Sequence, residues 1–287
     1  MEELLKALEG ITYRTSKFPR EEFQTIKAHQ EEAVPYLREA IQKALDERDT
    51  LDEEYQLHFY ALFLLGEFQD REFFPKIIEM ISLPEEELDY LIGDAVTSGL
   101  PDVLYNTFNG DLDLLKRAIM DVEINEFARA GMLRVMGQLY LDGTLKAEEW
   151  KDFIKQNVHS GTQYDYIYNE MASAICTCHF VDMLPEIRFM LDNKLMDTMC
   201  MGEYDSCVDQ MFRYDEREQN FCESPISAQC MLQTWAMFED EKGSEVSQKD
   251  YEKLLRAAER EYNKPISKKK IGRNAPCPCG SGKKYKK

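Results

Sequence analysis

The chain has 287 residues, with 54 acidic and 35 basic side chains and a formal charge of −19. Residues 264–287 hold nine bases and no acid, so the remainder carries 26 bases against 54 acids, a charge of −28. An acidic body of that size repels phosphate, which argues against nucleic acid or an anionic membrane as its partner, and 44% hydrophobic residues exclude a chain too polar to fold.

The N-terminal Met1–Gly10 has no basic stretch followed by an apolar run, so no secretory signal is read there. The most apolar stretch, Phe59–Gly66, is far short of the roughly 20 residues that span a bilayer, and no membrane contact is expected. Eight cysteines in such a chain read as reduced thiols, which predicts a cytoplasmic protein.

In chain order, Leu57–Phe68 is apolar almost all round and predicts a buried helix. After Gln69–Asp70, the residues Phe74, Ile77, Ile78 and Ile81 form one stripe of an amphipathic helix. A weaker copy ends near Gly99, with Pro101–Asp102 as its turn and Leu104–Phe108 after it. Phe127–Leu141 is the next apolar helix, stopped by Asp142–Gly143 and followed by the stripe Trp150, Phe153, Ile154 and Val158. Ile167–Phe180 is another, closed by Val181–Asp182 and followed by Leu184, Ile187 and Leu191. Pro75 and Pro185 fit the first turn of a second helix, where a missing N–H costs little. Asn109–Gly110 reads as a helix stop, and the acidic runs Glu85–Glu87 and Glu148–Glu149 read as helix starts.

The turn aspartates Asp70, Asp102, Asp142 and Asp182 are spaced 32, 40 and 40 residues apart. A period near 40 with two helices per unit is that of HEAT-type and armadillo-type solenoids, in which stacked pairs share a continuous core. A non-repetitive helical domain remains the alternative. Residues 204–226 break the pattern and read as a short helix plus a long loop, and Ser227–Phe238 as helical again. Ser247 and Asp250 resemble a capping box opening a spacer helix. The predicted organisation is an all-α repeat domain over 1–240, a spacer helix over 241–263 and a short, flexible, basic tail over 264–287. The tail is expected to be drawn transiently to the oppositely charged body, an attraction that salt would weaken.

The tail sequence Arg273-Asn-Ala-Pro-Cys-Pro-Cys-Gly-Ser-Gly-Lys-Lys284 strongly resembles the SEC-C motif, a small zinc-binding module found at the end of the bacterial preprotein-translocase motor. The resemblance implies that Cys277 and Cys279 are the first pair of metal ligands and that zinc is the cofactor. In that family eight residues separate this pair from Cys-Cys or Cys-His. Here eight residues follow Cys279 and the sequence stops, so the site is expected to be incomplete in this chain and the chain to be a fragment. Structural zinc takes four ligands, which two thiolates do not supply. A phosphate loop at Gly280–Lys284 is rejected: Cys277 stands where a Walker loop needs glycine, and Lys284 where it needs Ser or Thr.

In the body, Asp121–Ala130, the run from Asp182 to Ile187 and Glu223–Ile226 resemble a bacterial family of helical proteins of unknown function that often end in SEC-C. That resemblance implies a HEAT-like fold and no established activity. No catalytic residues are assigned. His29, His58, His159 and His179 show no metal-binding spacing, and His58 reads as a core residue. Cys176 and His179 share a helix face and are the one candidate for a thiol–imidazole pair, against the alternative that the cysteines pack the core. Tyr164, Tyr166 and Tyr168 line either the core or a binding surface. The expected role is a non-enzymatic interaction protein. Its helical surface is expected to meet protein partners, and the SEC-C resemblance implies a ribosome- or secretion-related contact for its tail. Nucleic-acid binding by the basic tail, or a cysteine-dependent enzyme using Cys176 and His179, is the alternative.

Overall fold

Where the sequence sets apolar residues three and four apart, the computed structural model forms helices. It describes residues 1–212, 220–235, 237 and 238. The first helices are α1 (Glu2–Gly10), α2 (Arg20–Ala28), α3 (Gln30–Asp46), α4 (Leu57–Glu67), α5 (Phe74–Ile81) and α6 (Glu85–Ile92). The middle of the chain gives α7 (Leu100–Thr107), α8 (Leu112–Met120), α9 (Glu126–Leu141) and α10 (Ala147–Ser160). Then come α11 (Tyr166–Thr177), α12 (Leu184–Asp192), α13 (Thr198–Met201), α14 (Tyr204–Phe212) and α15 (Ala228–Leu232). No strand occurs among the described residues, and Tyr13 and Tyr55 form an isolated antiparallel bridge. The fold is all-α. One compact unit spans Met1–Phe238.

Two rows of helices share the core. In the first, α3, α4, α7, α9, α11 and α14 lie side by side in that order. Their burial explains their composition: α4 is buried from His58 through Gly66, and α9 over most of its length. Behind it, α5 packs on α8 and α10 on α12. These second-row helices bury one stripe each, Phe74, Ile77, Ile78 and Ile81 in α5 and Trp150, Ile154 and Val158 in α10. The row is stitched on its outer side by Lys116–Glu149 at 2.6 Å and Lys155–Glu186 at 3.7 Å.

The aspartates at the turns tie neighbouring units together. Asp70 accepts from Arg38 on α3, Asp142 from the Tyr105 hydroxyl of α7 at 2.8 Å, and Asp182 from Lys151 of α10 at 2.9 Å. The two most similar copies also share a backbone. After α4 and after α11 the chain makes the same paired cap, Asp70 N–H to Leu65 O and Phe180 N–H to Ile175 O, each 3.0 Å. Gln69 and His179 take the left-handed conformation between them, both with φ 54°. A 3-10 turn and a proline-initiated helix follow in each case.

The weaker copy around Asp102 is out of register. Pro101 and Asp102 lie in the first turn of α7, a first-row helix, and not between two helices. The turn of that unit is Phe108–Asp111, where Gly110 has φ 95° and the Asp111 side chain caps α8 by accepting from Leu114 N–H at 2.9 Å. The expected turn at Pro101–Asp102 is thus the start of a helix, and that helix belongs to the first row. Two further boundaries differ. The third apolar helix ends at Thr177 instead of Phe180, because the cap around His179 turns the chain. Ser227 does cap a helix, but one that stops at Leu232. The predicted spacer helix with Ser247 and Asp250, the basic tail and its attraction to the body all lie outside the described residues.

Candidate functional site

Cys176 and His179 do not share a helix face, because His179 lies past the end of α11 in a left-handed turn, yet both side chains meet α14. The Cys176 thiol donates to the Cys207 carbonyl at 3.4 Å, and the His179 Nδ1–H donates to the Met211 carbonyl at 2.6 Å. Those acceptors are four residues apart, one helical turn, so the pair docks α14 against the end of α11. Cys176 is buried, and its hydrogen bond to Cys207 together with burial pushes the thiol pKa up. That is opposite to what a nucleophilic thiolate requires. Burial likewise pushes Cys178 up to about 12. Cys207 and Cys222 are also buried, which fits cysteine as small core filling.

A more extensive constellation, absent from the sequence reading, lies across the first row. Residues 220–235, with Met237 and Phe238, run back over α9, α7 and α4, against the order of the chain. Gln138 Oε1 of α9 accepts from the Phe221 N–H at 2.9 Å and the Cys222 N–H at 3.2 Å, while Arg134 Nη2 donates to Phe221 O at 2.8 Å. On α7, Asp102 Oδ1 accepts from Glu223 N–H at 2.8 Å, and Asn106 Nδ2 donates to Glu223 O at 2.7 Å. On α4, Glu67 Oε2 accepts from Ala228 N–H at 2.9 Å. Trp235 then meets Phe59, and Phe238 meets Phe18, with ring centroids 5.2 and 5.3 Å apart. Asn106 and Gln138 are buried polar residues in first-row helices. Their amides are satisfied by the main chain of this strap, as buried polar groups must be.

The helices are notched to receive it. A Cβ on Gly137 would lie 2.7 Å from the Phe221 ring, and one on Gly66 would lie 2.9 Å from Ile226. An isolated glycine within a helical pattern signals such a close approach, and that was the available clue to the strap. Gly137→Ala is therefore expected to lower stability by about 1–2 kcal/mol, overpacking against Phe221 outweighing the better helix propensity of alanine. In a Phe221→Ala background the same change should stabilise by up to about 1 kcal/mol, because only the propensity gain is left. Urea denaturation of the four proteins checks this; an equal effect of Gly137→Ala in both backgrounds would show that the notch is not specific to Phe221.

The remaining candidates are dispersed. His58 is buried in α4, its Nε2–H donating to Leu91 O at 2.8 Å. Tyr168 is core, Tyr166 half-buried against Phe127, and Tyr164 exposed. Among the described residues no group of three or more His, Cys, Asp or Glu side chains is placed to hold a metal ion. Cys277 and Cys279 lie outside them. No helix among the described residues is long and apolar enough to cross a membrane.

Residues 2–224 match the family model "Protein of unknown function (DUF1186)", and residues 273–287 match the SEC-C motif. An uncharacterized protein of Chlamydia trachomatis is 23% identical over 200 residues, covering 68% of this chain and 79% of that protein. One from Chlamydia muridarum is 27% identical over 133 residues, 46% of this chain and 53% of the relative. The protein translocase subunit SecA of Finegoldia magna is 53% identical over 53 residues, 17% of this chain but 6% of SecA. No solved structure matches.

Proposed function

The chain belongs to the DUF1186 family of unknown function, and we propose that it serves there as a non-enzymatic adaptor in the cytosol whose SEC-C tail contacts a protein partner. The observation that carries this reading is the breadth of proteins sharing the tail. The likeness to SecA of Finegoldia magna takes in 6% of that protein, and 26 residues of a UPF0225 protein from Photorhabdus laumondii are 77% identical. A short segment shared with proteins of such different length suits a portable contact module. The helical body gives that module its context. Its first row between α9 and α4 is covered by the strap, so a partner of the body would meet other surfaces.

Zinc fits the donor chemistry of the tail. Cys277 and Cys279 would supply two thiolates, with two more ligands needed for a closed tetrahedral site. Bound zinc would supply structural order and no reaction step. A second reading, contact with ribosomal or other RNA through the tail, is favoured by nine bases without one acid in residues 264–287.

The test compares the full chain, a chain ending at Asn263 and a Cys277→Ser/Cys279→Ser variant as baits in bacterial cytosol. The expected result is a defined protein partner held by the full chain and reduced at least tenfold by either change. The same partners on all three baits would overturn the reading. Recovery of RNA instead, falling steeply with salt, would establish the alternative.

A further inference from the structure

Two of the thiols that fill the core do so against each other. Cys176 is in the last turn of α11 and Cys207 is on α14, 31 positions later. Both are free thiols, 1% and 0% exposed. The Cys176 sulfur lies 3.4 Å from the Cys207 carbonyl, and the two thiol groups are within hydrogen-bonding reach of each other. A disulfide forms without strain only between residues that already face each other at short range. Here the packing of α14 on α11 supplies that approach. Among the described residues the other buried thiols keep different company: Cys178 meets the Trp150 indole, and Cys222 lies near Asp102 and Arg134.

The pair is asymmetric. While Cys207 keeps its proton, its S–H points to the Met201 carbonyl at 3.6 Å. Once that proton leaves, the Cys176 S–H can turn from the carbonyl to the Cys207 sulfur. That hydrogen bond draws the Cys207 thiol below its usual pKa against the opposing effect of burial, and it holds the proton on Cys176. One sulfur is thus suited to attack and its neighbour to resolve. Access comes through α14 itself. Of its nine residues Cys207 and Met211 are the buried ones, α13 before it buries none, and Gly202 between the two helices has φ 74°. An element with so few buried contacts opens locally at low cost.

We propose that Cys176 and Cys207 are a modification site, a dithiol that hydrogen peroxide oxidises to a disulfide joining α11 to α14. The Cys207 thiolate attacks one peroxide oxygen. The S–O bond forms as the O–O bond breaks, and the departing hydroxide takes up a proton to become water. The Cys176 sulfur then displaces the sulfenic oxygen, and its own proton leaves with that oxygen as a second water. Two electrons pass from the sulfurs to the peroxide, so two thiols and one peroxide give one disulfide and two waters. A small dithiol reverses the step by exchange, becoming a disulfide itself. The bond closes a loop through α12 and α13 and holds α14 shut. The proposal is independent of the tail.

The reduced full chain would be treated with hydrogen peroxide, quenched with N-ethylmaleimide, digested without reduction and mapped by fragment mass spectrometry. The expected result is a Cys176–Cys207 cross-link at least tenfold more abundant than any other pair and erased by dithiothreitol. Cys200 and Cys230 are exposed and serve as the measure of indiscriminate oxidation. Cys178→Ala/Cys200→Ala removes the nearest thiols in sequence and should keep the cross-link, which fixes its assignment. In the oxidised chain amide hydrogen exchange over α14 should slow at least tenfold and recover on reduction. Recovery of Cys176 and Cys207 as maleimide adducts while Cys200 and Cys230 are oxidised would overturn the proposal. So would a cross-link through Cys178 or Cys200, or one that forms as fast in the urea-unfolded chain. Unchanged exchange over α14 after cross-linking would overturn the part of it that holds this helix shut.

Discussion

Replacing Arg129 by alanine is expected to cost about 3 kcal/mol of stability, among the largest effects of any single change in the described body. The side chain is 3% exposed. Its Nε donates to the carbonyl of Ile119 at the end of α8, and its Nη1 to Asp165 Oδ2, both at 2.8 Å. Asp165 in turn caps α11, its Oδ1 accepting from Ile167 N–H at 3.1 Å. One guanidinium on α9 thus fixes the end of one helix and the start of another. Alanine would leave a carbonyl and a carboxylate without their shared donor and would open a void in the core. The Asp165 side chain keeps 22% exposure, so water relieves part of its loss and the lower end of the range for a broken buried pair applies. Lysine keeps the charge but not the fork, and should recover less than half of the loss. Urea denaturation measures all three proteins. A cost for alanine below about 1 kcal/mol would mean that the α8–α9–α11 junction is held by apolar packing alone.

Much of this body was legible from local pattern. Helices such as α4, α5 and α10 followed directly from where Phe, Ile and Trp recur, because burial on one face or on all faces leaves a periodic trace. The turn aspartates were legible as marks of a repeat, although their partners were not. Arg38, Tyr105 and Lys151 lie one unit earlier, and only the stacked geometry brings them to Asp70, Asp142 and Asp182. The register of the second unit was misread because Pro101 and Asp102 imitate a turn, and a proline at a helix start does not say which row the helix joins. The strap was invisible for a different reason. Residues 220–226 have no period of their own, and their hydrogen bonds reach 83 to 121 positions back in the chain. Only Gly66 and Gly137, isolated within apolar helices, hinted that another segment approaches. The spacing of Cys176 and His179 suggested one helix face, but the helix ends at Thr177 and both side chains serve to dock α14. The left-handed turn at His179 decides this locally, because it places the ring opposite the carbonyl of Met211.

Two titratable groups, His58 and Glu170, should give this protein opposing pH dependences that partly offset. Burial in α4 lowers the pKa of His58 to about 4. In the unfolded chain the imidazole takes up its proton near 6.5. The unfolded state therefore binds more protons between those values, and stability from His58, complete above pH 6.5, is lost as pH falls towards 4. Glu170 on α11 behaves in reverse. Burial pushes its carboxyl up to about 7, with the Arg134 guanidinium only partly opposing the rise. Its unfolded value lies near 4.3. Here the folded state binds more protons, so stability is greatest near pH 4.3 and is lost as pH rises to 7. His58 contributes a swing on the order of 3 kcal/mol, and Glu170, half-buried by its surface exposure, roughly 2 kcal/mol after allowance for solvent screening. In the window from pH 4.5 to 6.5 these two slopes are opposite, so the parent protein shows only their difference. Single variants should expose them. Relative to the parent, Glu170→Gln should gain stability as pH rises from 4.5 to 7, and His58→Phe should gain as pH falls from 6.5 to 4. Chemical denaturation across that range at fixed ionic strength reads both differences. Two variants whose stability runs parallel to the parent at every pH would show that both groups titrate as they do in the unfolded chain. In that case neither the imidazole against Leu91 nor the carboxylate beside Arg134 is held away from water in solution.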